Sequence, residues 1–115
     1  MNSKDEKVTF GLIADRLKAL ADPSRLLILH HLFECEMNVS RIVEITGFNQ
    51  ANVSRHLRIL RERGLVKTRR AHRNVYYSPT SGIPISICDM VCRSIEISSQ
   101  DDADTLRAYR KAMNE

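Results

Sequence analysis

Asn49-Gln50-Ala51-Asn52-Val53-Ser54-Arg55-His56-Leu57-Arg58-Ile59-Leu60-Arg61-Glu62-Arg63 is the stretch whose reading decides the fold. Wound as an α-helix, it places Val53, Leu57 and Leu60 at i, i+4 and i+7, a narrow apolar stripe suited to face a core. The opposite side presents Asn52, Ser54, Arg55 and Arg58, with Gln50 at the N-terminal end. Amides and guanidinium groups of this kind hydrogen-bond base edges and phosphates. Asn49 is the expected N-cap, its side-chain oxygen accepting from a first-turn N–H. Gly64 ends the helix, because glycine enters the left-handed conformation without a steric penalty. The stretch reads as a recognition helix.

Charge is concentrated around it. Residues 55–73 hold Arg55, Arg58, Arg61, Arg63, Lys67, Arg69, Arg70 and Arg73, eight of the chain's 18 basic residues, against the single acid Glu62. The last twenty residues carry five acids and three cations. A basic middle beside a near-neutral or acidic remainder is the footprint of a polyanion partner, although most charge runs are merely solvated helix faces. With 115 residues the chain is expected to form one domain over 1–115, with a core over 8–99 and a polar C-terminal extension over 100–115. No apolar run approaches the roughly 20 residues that span a bilayer. The charged start, Met1 to Lys7, lacks the apolar stretch of a secretory signal, so a cytoplasmic protein is expected. Three cysteines, an odd number, fit a reducing compartment better than a disulfide framework.

Outward from the helix, periodicity predicts the remaining elements. Residues 1–7 are expected to fray, and a first helix of about three turns is expected from Val8 to Leu20. Asp22 and Pro23 start a second helix, through Leu26, Leu29, Leu32 and Phe33, as cap and first-turn proline. Asn38 caps a short third helix with Val39, Ile42, Val43 and Ile45 as its apolar face. Thr46-Gly47-Phe48 then turns the chain into the Asn49 helix, the spacing of a helix-turn-helix. Leu65–Arg70 and Asn74–Ser78 read as a hairpin joined by Ala71-His72-Arg73, with a basic tip. A last long helix from about Pro84 carries Ile87, Cys88, Val91, Cys92 and Ile95, and residues 98–102 break it before a polar tail. His30 and His31, in the last turns of the second helix, are expected to be satisfied core or dipole-stabilised residues rather than metal ligands.

Four blocks, Leu17–Leu26, Asn52–Leu60, Gly64–Val66 and Arg73–Tyr77, resemble the ArsR/SmtB family of bacterial metalloregulatory repressors in order and separation, over roughly residues 9–97. The resemblance implies a mainly α fold with a small β-hairpin, the winged helix-turn-helix. It also implies a homodimer through the first and last helices that binds double-stranded operator DNA and represses transcription until an inducer weakens binding. Carried across residue by residue, it assigns DNA contacts to Gln50, Ser54, Arg55 and His56, with Arg69, Arg70, His72 and Arg73 on the adjacent backbone. The bottom-up reading adds Asn49, Asn52 and Arg58, and places His56 towards the core edge of the helix. Where the family often has Pro-Ala, this chain has Ala51-Asn52, so the operator sequence does not carry over.

The family's familiar sensor residues are missing. The cysteine-bearing stretch of its arsenic and cadmium sensors aligns with Glu36-Met37-Asn38-Val39-Ser40-Arg41. The zinc pattern of the last helix fails because Asp89 is followed by Met90 and Val91, and no histidine follows His72. Cys35, Cys88 and Cys92 are the remaining soft donors. Three readings stay open: binding of As(III) or another thiophilic metal, redox or sulfur sensing through Cys35 and one of the others, or plain packing with no cofactor. Two rival functions are weighed. A protein-interaction module binding an acidic partner fits the charge, but Gln50, Asn52 and Ser54 are poor interface anchors. An enzyme is disfavoured, because no phosphate loop, His/carboxylate metal motif or nucleophile–base pair occurs at recognisable spacing.

Overall fold

The computed structural model describes residues 2–98 and 100–113. They fall into two compact units, residues 1–82 and 83–115. The first unit contains α1 (Ser3–Leu20), α2 (Pro23–Glu34), α3 (Val39–Thr46), α4 (Gln50–Glu62), β1 (Val66–Ala71) and β2 (Asn74–Pro79). The second contains α5 (Ile83–Ser98) and α6 (Gln100–Met113).

The first unit is built on short polar signals that set each helix boundary. Asp22 accepts from Arg25 N at 3.1 Å and Asn38 from Arg41 N at 2.9 Å, so α2 and α3 each begin on a side-chain cap. Gly47 closes α3 with φ +75° and donates to Val43 O, a left-handed C-cap. One difference lies at the start of α1. Residues expected to fray are helical from Ser3, because Asn2 accepts from Asp5 N at 2.9 Å and Asp5 and Glu6 face the positive end of the helix. At 18 residues, α1 is correspondingly longer than the three turns expected.

Ile28, Leu32, Ile42, Val53, Leu57 and Leu60 are the largest fully buried side chains among the described residues, drawn from α2, α3 and α4. Their packing fixes the helix-turn-helix, and Leu65 and Val66 extend the core to the base of the hairpin. β1 and β2 pair antiparallel from Val66↔Pro79 to Ala71↔Asn74, leaving a two-residue turn, His72-Arg73, one residue shorter than the expected connection. Met37 adds a one-residue third strand: its N–H donates to Tyr77 O at 3.2 Å and Tyr77 N–H donates to Met37 O at 2.8 Å. In the second unit, Ala103 of α6 is buried, and Arg110 pairs with Glu96 at 2.7 Å to tie α6 to α5. The break expected over residues 98–102 is shorter than that: Ser98 still belongs to α5 and Gln100, Asp101 and Asp102 form the first turn of α6, a helix of 14 residues whose acidic start suits a helix N-terminus, while Ser99 lies outside the described residues. Among the described residues no helix is long and apolar enough to cross a membrane.

Candidate nucleic-acid interface

The reading helix is positioned by its own ends. Asn49 Oδ1 accepts from Asn52 N at 2.8 Å, so its side chain is engaged in capping before it meets any partner. Upstream, Thr46 Oγ1 donates to Ile42 O at 2.6 Å and accepts from Phe48 N at 3.2 Å, stiffening the turn that aims α4. At the far end, Arg16 of α1 donates to Arg63 O, and Gly64 takes φ +73°. Between these fixed ends Val53, Leu57 and Leu60 are sealed at 0–1% exposure. Gln50, Asn52, Ser54, Arg55 and Arg58 are all exposed. The helix therefore has one committed face and one open face.

His56 departs from the other candidates. It is 6% exposed, and its ring Nδ1 stands 3.3 Å from Arg25 Nη1. That places it among the packed residues rather than on the open face, further inward than the core edge where the helix wheel puts it. Burial lowers its pKa below the usual imidazole value, with Arg55 and Arg25 adding repulsion and Asp22 opposing. A neutral ring results, able to accept from the Arg25 guanidinium.

The wing divides its cations between two tasks. Arg70, His72 and Arg73 are exposed, and His72 reaches φ +57° in the turn, so the tip is open. Arg69 is bound instead: Nε donates to Glu36 Oε2 at 3.2 Å, Nη2 pairs with Oε1, and the guanidinium lies 4.9 Å over the Tyr76 ring. Glu36 is held below the ordinary carboxylate range by that hydrogen bond. Asn38 Nδ2 donates to Asn74 Oδ1 at 3.2 Å, a further link between the α3 cap and the wing. Sequence reasoning missed the parts played by Glu36 and Met37. Their partners lie 33 and 40 residues away, beyond any local pattern.

The residues of the familiar metal patterns do not fit metal. Met37 is buried in the β-bridge, Asn38 is a cap, and the aligned stretch has no thiol. Cys88 and Cys92 sit one turn apart on α5, whereas Cys35 belongs to the other compact unit, exposed and donating to Glu36 O at 3.4 Å. Burial pushes the Cys88 thiol up, with Cys92 and Asp89 adding to it, which disfavours the thiolate that metals and oxidants need.

Three packed helices with a capped reading helix and a basic hairpin define a winged helix-turn-helix domain. The chain belongs to the arsR family of bacterial regulatory proteins, whose sequence profile matches residues 22–68. It is 41% identical over 76 residues, 66% of its length, to the nodulation protein NolR of Rhizobium meliloti, and the match spans 62% of that relative. The crystal structure of NolR from Sinorhizobium fredii superimposes with a TM-score of 0.71 at 34% identity, covering 85% of this chain and 94% of that one. The solution structure of Mb0332 from Mycobacterium bovis, a homodimeric winged helix-turn-helix DNA-binding domain, gives 0.75 at 28% identity over 88% and 94%.

Proposed function

We propose that this protein is a homodimeric transcriptional repressor that binds a two-fold operator, reading bases with α4 and holding the flanking backbone with the wing. The observation that carries the reading is the division of α4. Its apolar stripe is sealed while Gln50, Asn52, Ser54, Arg55 and Arg58 stand open together. Arg55 and Arg58 suit bidentate pairing with guanine, and Gln50 and Asn52 suit adenine. Arg70, His72 and Arg73 supply phosphate contacts, and Arg69 joins them when DNA competes with Glu36 for its guanidinium. Asn49 contributes backbone position rather than base contact.

The homodimer is supported by apolar surface that each unit leaves uncovered. Phe10, Ile13 and Leu17 of α1 are 66%, 46% and 47% exposed, and Val91 of α5 is 53% exposed. A second copy covering these faces makes the whole chain one functional domain and sets the two α4 helices one duplex turn apart, about 34–36 Å. No enzymatic step enters this reading. Release by an inducer rests on Cys35, Cys88 and Cys92, as thiolate ligands to As(III) or another thiophilic metal, or as partners in a redox or sulfur bridge. Single Cys→Ser variants separate these from simple packing: if every variant releases DNA under arsenite and oxidant as the parent does, the thiols only pack. A gel shift on the DNA upstream of the protein's own gene tests the DNA reading. Equal affinity for unrelated DNA, together with capture of an acidic protein, favours the interaction-module alternative.

A further inference from the structure

The last turn of α2 carries His30, His31 and Glu34, and none of the three belongs to the DNA-reading face. Each offers a ligand atom, and the three atoms lie within 4.8 Å of one another. His30 Nε2 is buried and has no hydrogen-bond partner among the described residues, although Glu34 Oε1 stands 3.5 Å away. The sequence reading expected a satisfied core or dipole-stabilised histidine here, and the structure leaves His30 Nε2 without a hydrogen-bond partner among the described residues. A buried nitrogen in that state forfeits the hydrogen bond it makes in water and calls for an explanation. The His30 and His31 rings meet edge to face with centroids 5.2 Å apart, which holds both imidazoles on the same side of the helix end.

We propose that His30, His31 and Glu34 form a three-ligand site for a divalent first-row transition metal of the zinc class, with water completing the coordination. Two imidazoles and a carboxylate are the donor set that such ions take, whereas calcium and magnesium prefer oxygen alone. Bonds of about 2.0–2.1 Å in a tetrahedron place ligand atoms roughly 3.3–3.4 Å apart. Glu34 Oε1 already stands 3.5 Å from His30 Nε2, close to that spacing, and the Glu34 side chain is 56% exposed. The negative end of the α2 dipole lies at this turn and favours a cation. Glu34 is three residues before Met37, whose backbone pairs with Tyr77 of the wing, so an ion here fixes the segment that anchors the wing.

The test is titration of the full-length reduced protein with Co(II) alone and, separately, Zn(II) alone, in the absence of DNA. The expected result is one Co(II) per chain with a nitrogen–oxygen ligand-field spectrum and no thiolate-to-cobalt charge-transfer band. His30→Gln, His31→Gln and Glu34→Gln each weaken binding by about tenfold or more, while Cys35→Ser, Cys88→Ser and Cys92→Ser leave it unchanged. Zn(II) also shifts the ring resonances of His30 and His31 in the unaltered protein, a readout that does not depend on any variant folding. Absence of stoichiometric binding, unshifted His30 and His31 resonances, or loss of binding in a cysteine variant overturns the proposal.

Discussion

Arg25 Nη1 of α2 and His56 Nδ1 of α4 lie 3.3 Å apart, and this contact joins the reading helix to the rest of its unit. The same guanidinium donates through Nε to Ala19 O at 2.6 Å and through Nη2 to Lys18 O at 3.3 Å, and it stands 3.9 Å from the Asp22 carboxylate. One side chain thus serves the end of α1, the cap of α2 and the inner side of α4. His56 accepts there because its ring is neutral. The position and orientation of α4 depend on this cluster as much as on the apolar stripe.

Removing Arg25 tests that dependence. Arg25→Ala strips partners from the half-buried Ala19 carbonyl, the exposed Lys18 carbonyl and His56, and hydrogen bonds to charged groups contribute about 1.5–3 kcal/mol each in net terms. Because the bonds share one side chain, we expect a loss near about 3 kcal/mol rather than their sum. Urea unfolding of the variant measures it. An unchanged midpoint contradicts the role given to Arg25.

The pH dependence of stability follows from His56 and His31, both lowered below the ordinary imidazole value, chiefly by burial. The unfolded chain then binds protons at a pH where the folded chain does not, so stability is full above about pH 6.5 and falls as the pH drops below it. Asp22 and Glu36 are lowered from carboxylate values and contribute in the same direction at more acidic pH. We expect unfolding midpoints to decline between about pH 6.5 and 5, and His56→Gln to flatten part of that slope. Stability that rises across this interval as pH falls has the wrong sign.

Gly47 sits in the turn between the two helices at φ +75°, with nothing within 4 Å of an added Cβ. Gly47→Ala therefore tests conformation alone and should cost about 1–2 kcal/mol. Gly64→Ala meets Arg16 Nη1 at 3.0 Å as well as a φ of +73°, and Arg16 also donates to Arg63 O, so it should cost more. Thermal unfolding of the two variants gives the ordering.

A charge introduced on the apolar face of α1 tests the dimer. Leu17→Glu places a carboxylate on a face already exposed in the single chain, so the folded unit should tolerate it. Sedimentation equilibrium should show monomer, and operator affinity should fall at least as far as the loss of one half-site requires. A dimer that persists in Leu17→Glu removes α1 from the interface.

Much of this architecture is legible in the chain, and the misses share a cause. The ends of α2, α3 and α4 could be read because caps act within three or four residues: Asp22, Asn38, Asn49, Gly47 and Gly64 each occupy the position their chemistry predicts. The start of α1 was missed because periodicity looks for apolar residues, while Asn2, Asp5 and Glu6 are polar start signals. The helix wheel put His56 at the core edge, and the structure carries it further inward because Arg25, 31 residues away, supplies its partner. The pairings of Arg69 with Glu36 and Tyr77 with Met37 have no local trace. The orphaned nitrogen of His30 is likewise visible only in three dimensions.

Arg55 and Arg73 separate base reading from backbone holding. Arg55→Ala should cost about 1–3 kcal/mol and relax preference at one operator position. Arg73→Ala should weaken specific and unrelated DNA alike and reduce the salt slope by about one unit. Competition binding with substituted operators distinguishes the two patterns.

The most direct test of the central claim is the affinity of the purified protein for its own upstream DNA, measured by fluorescence anisotropy across a salt series with scrambled DNA alongside. Contacts to about six to ten phosphates per dimer predict a log–log slope of roughly −5 to −9, a fall of about 10³–10⁵ between 50 and 200 mM salt, and at least about 10³-fold preference over scrambled sequence. A flat salt response, or equal binding to both DNAs, contradicts a repressor that reads its operator with α4.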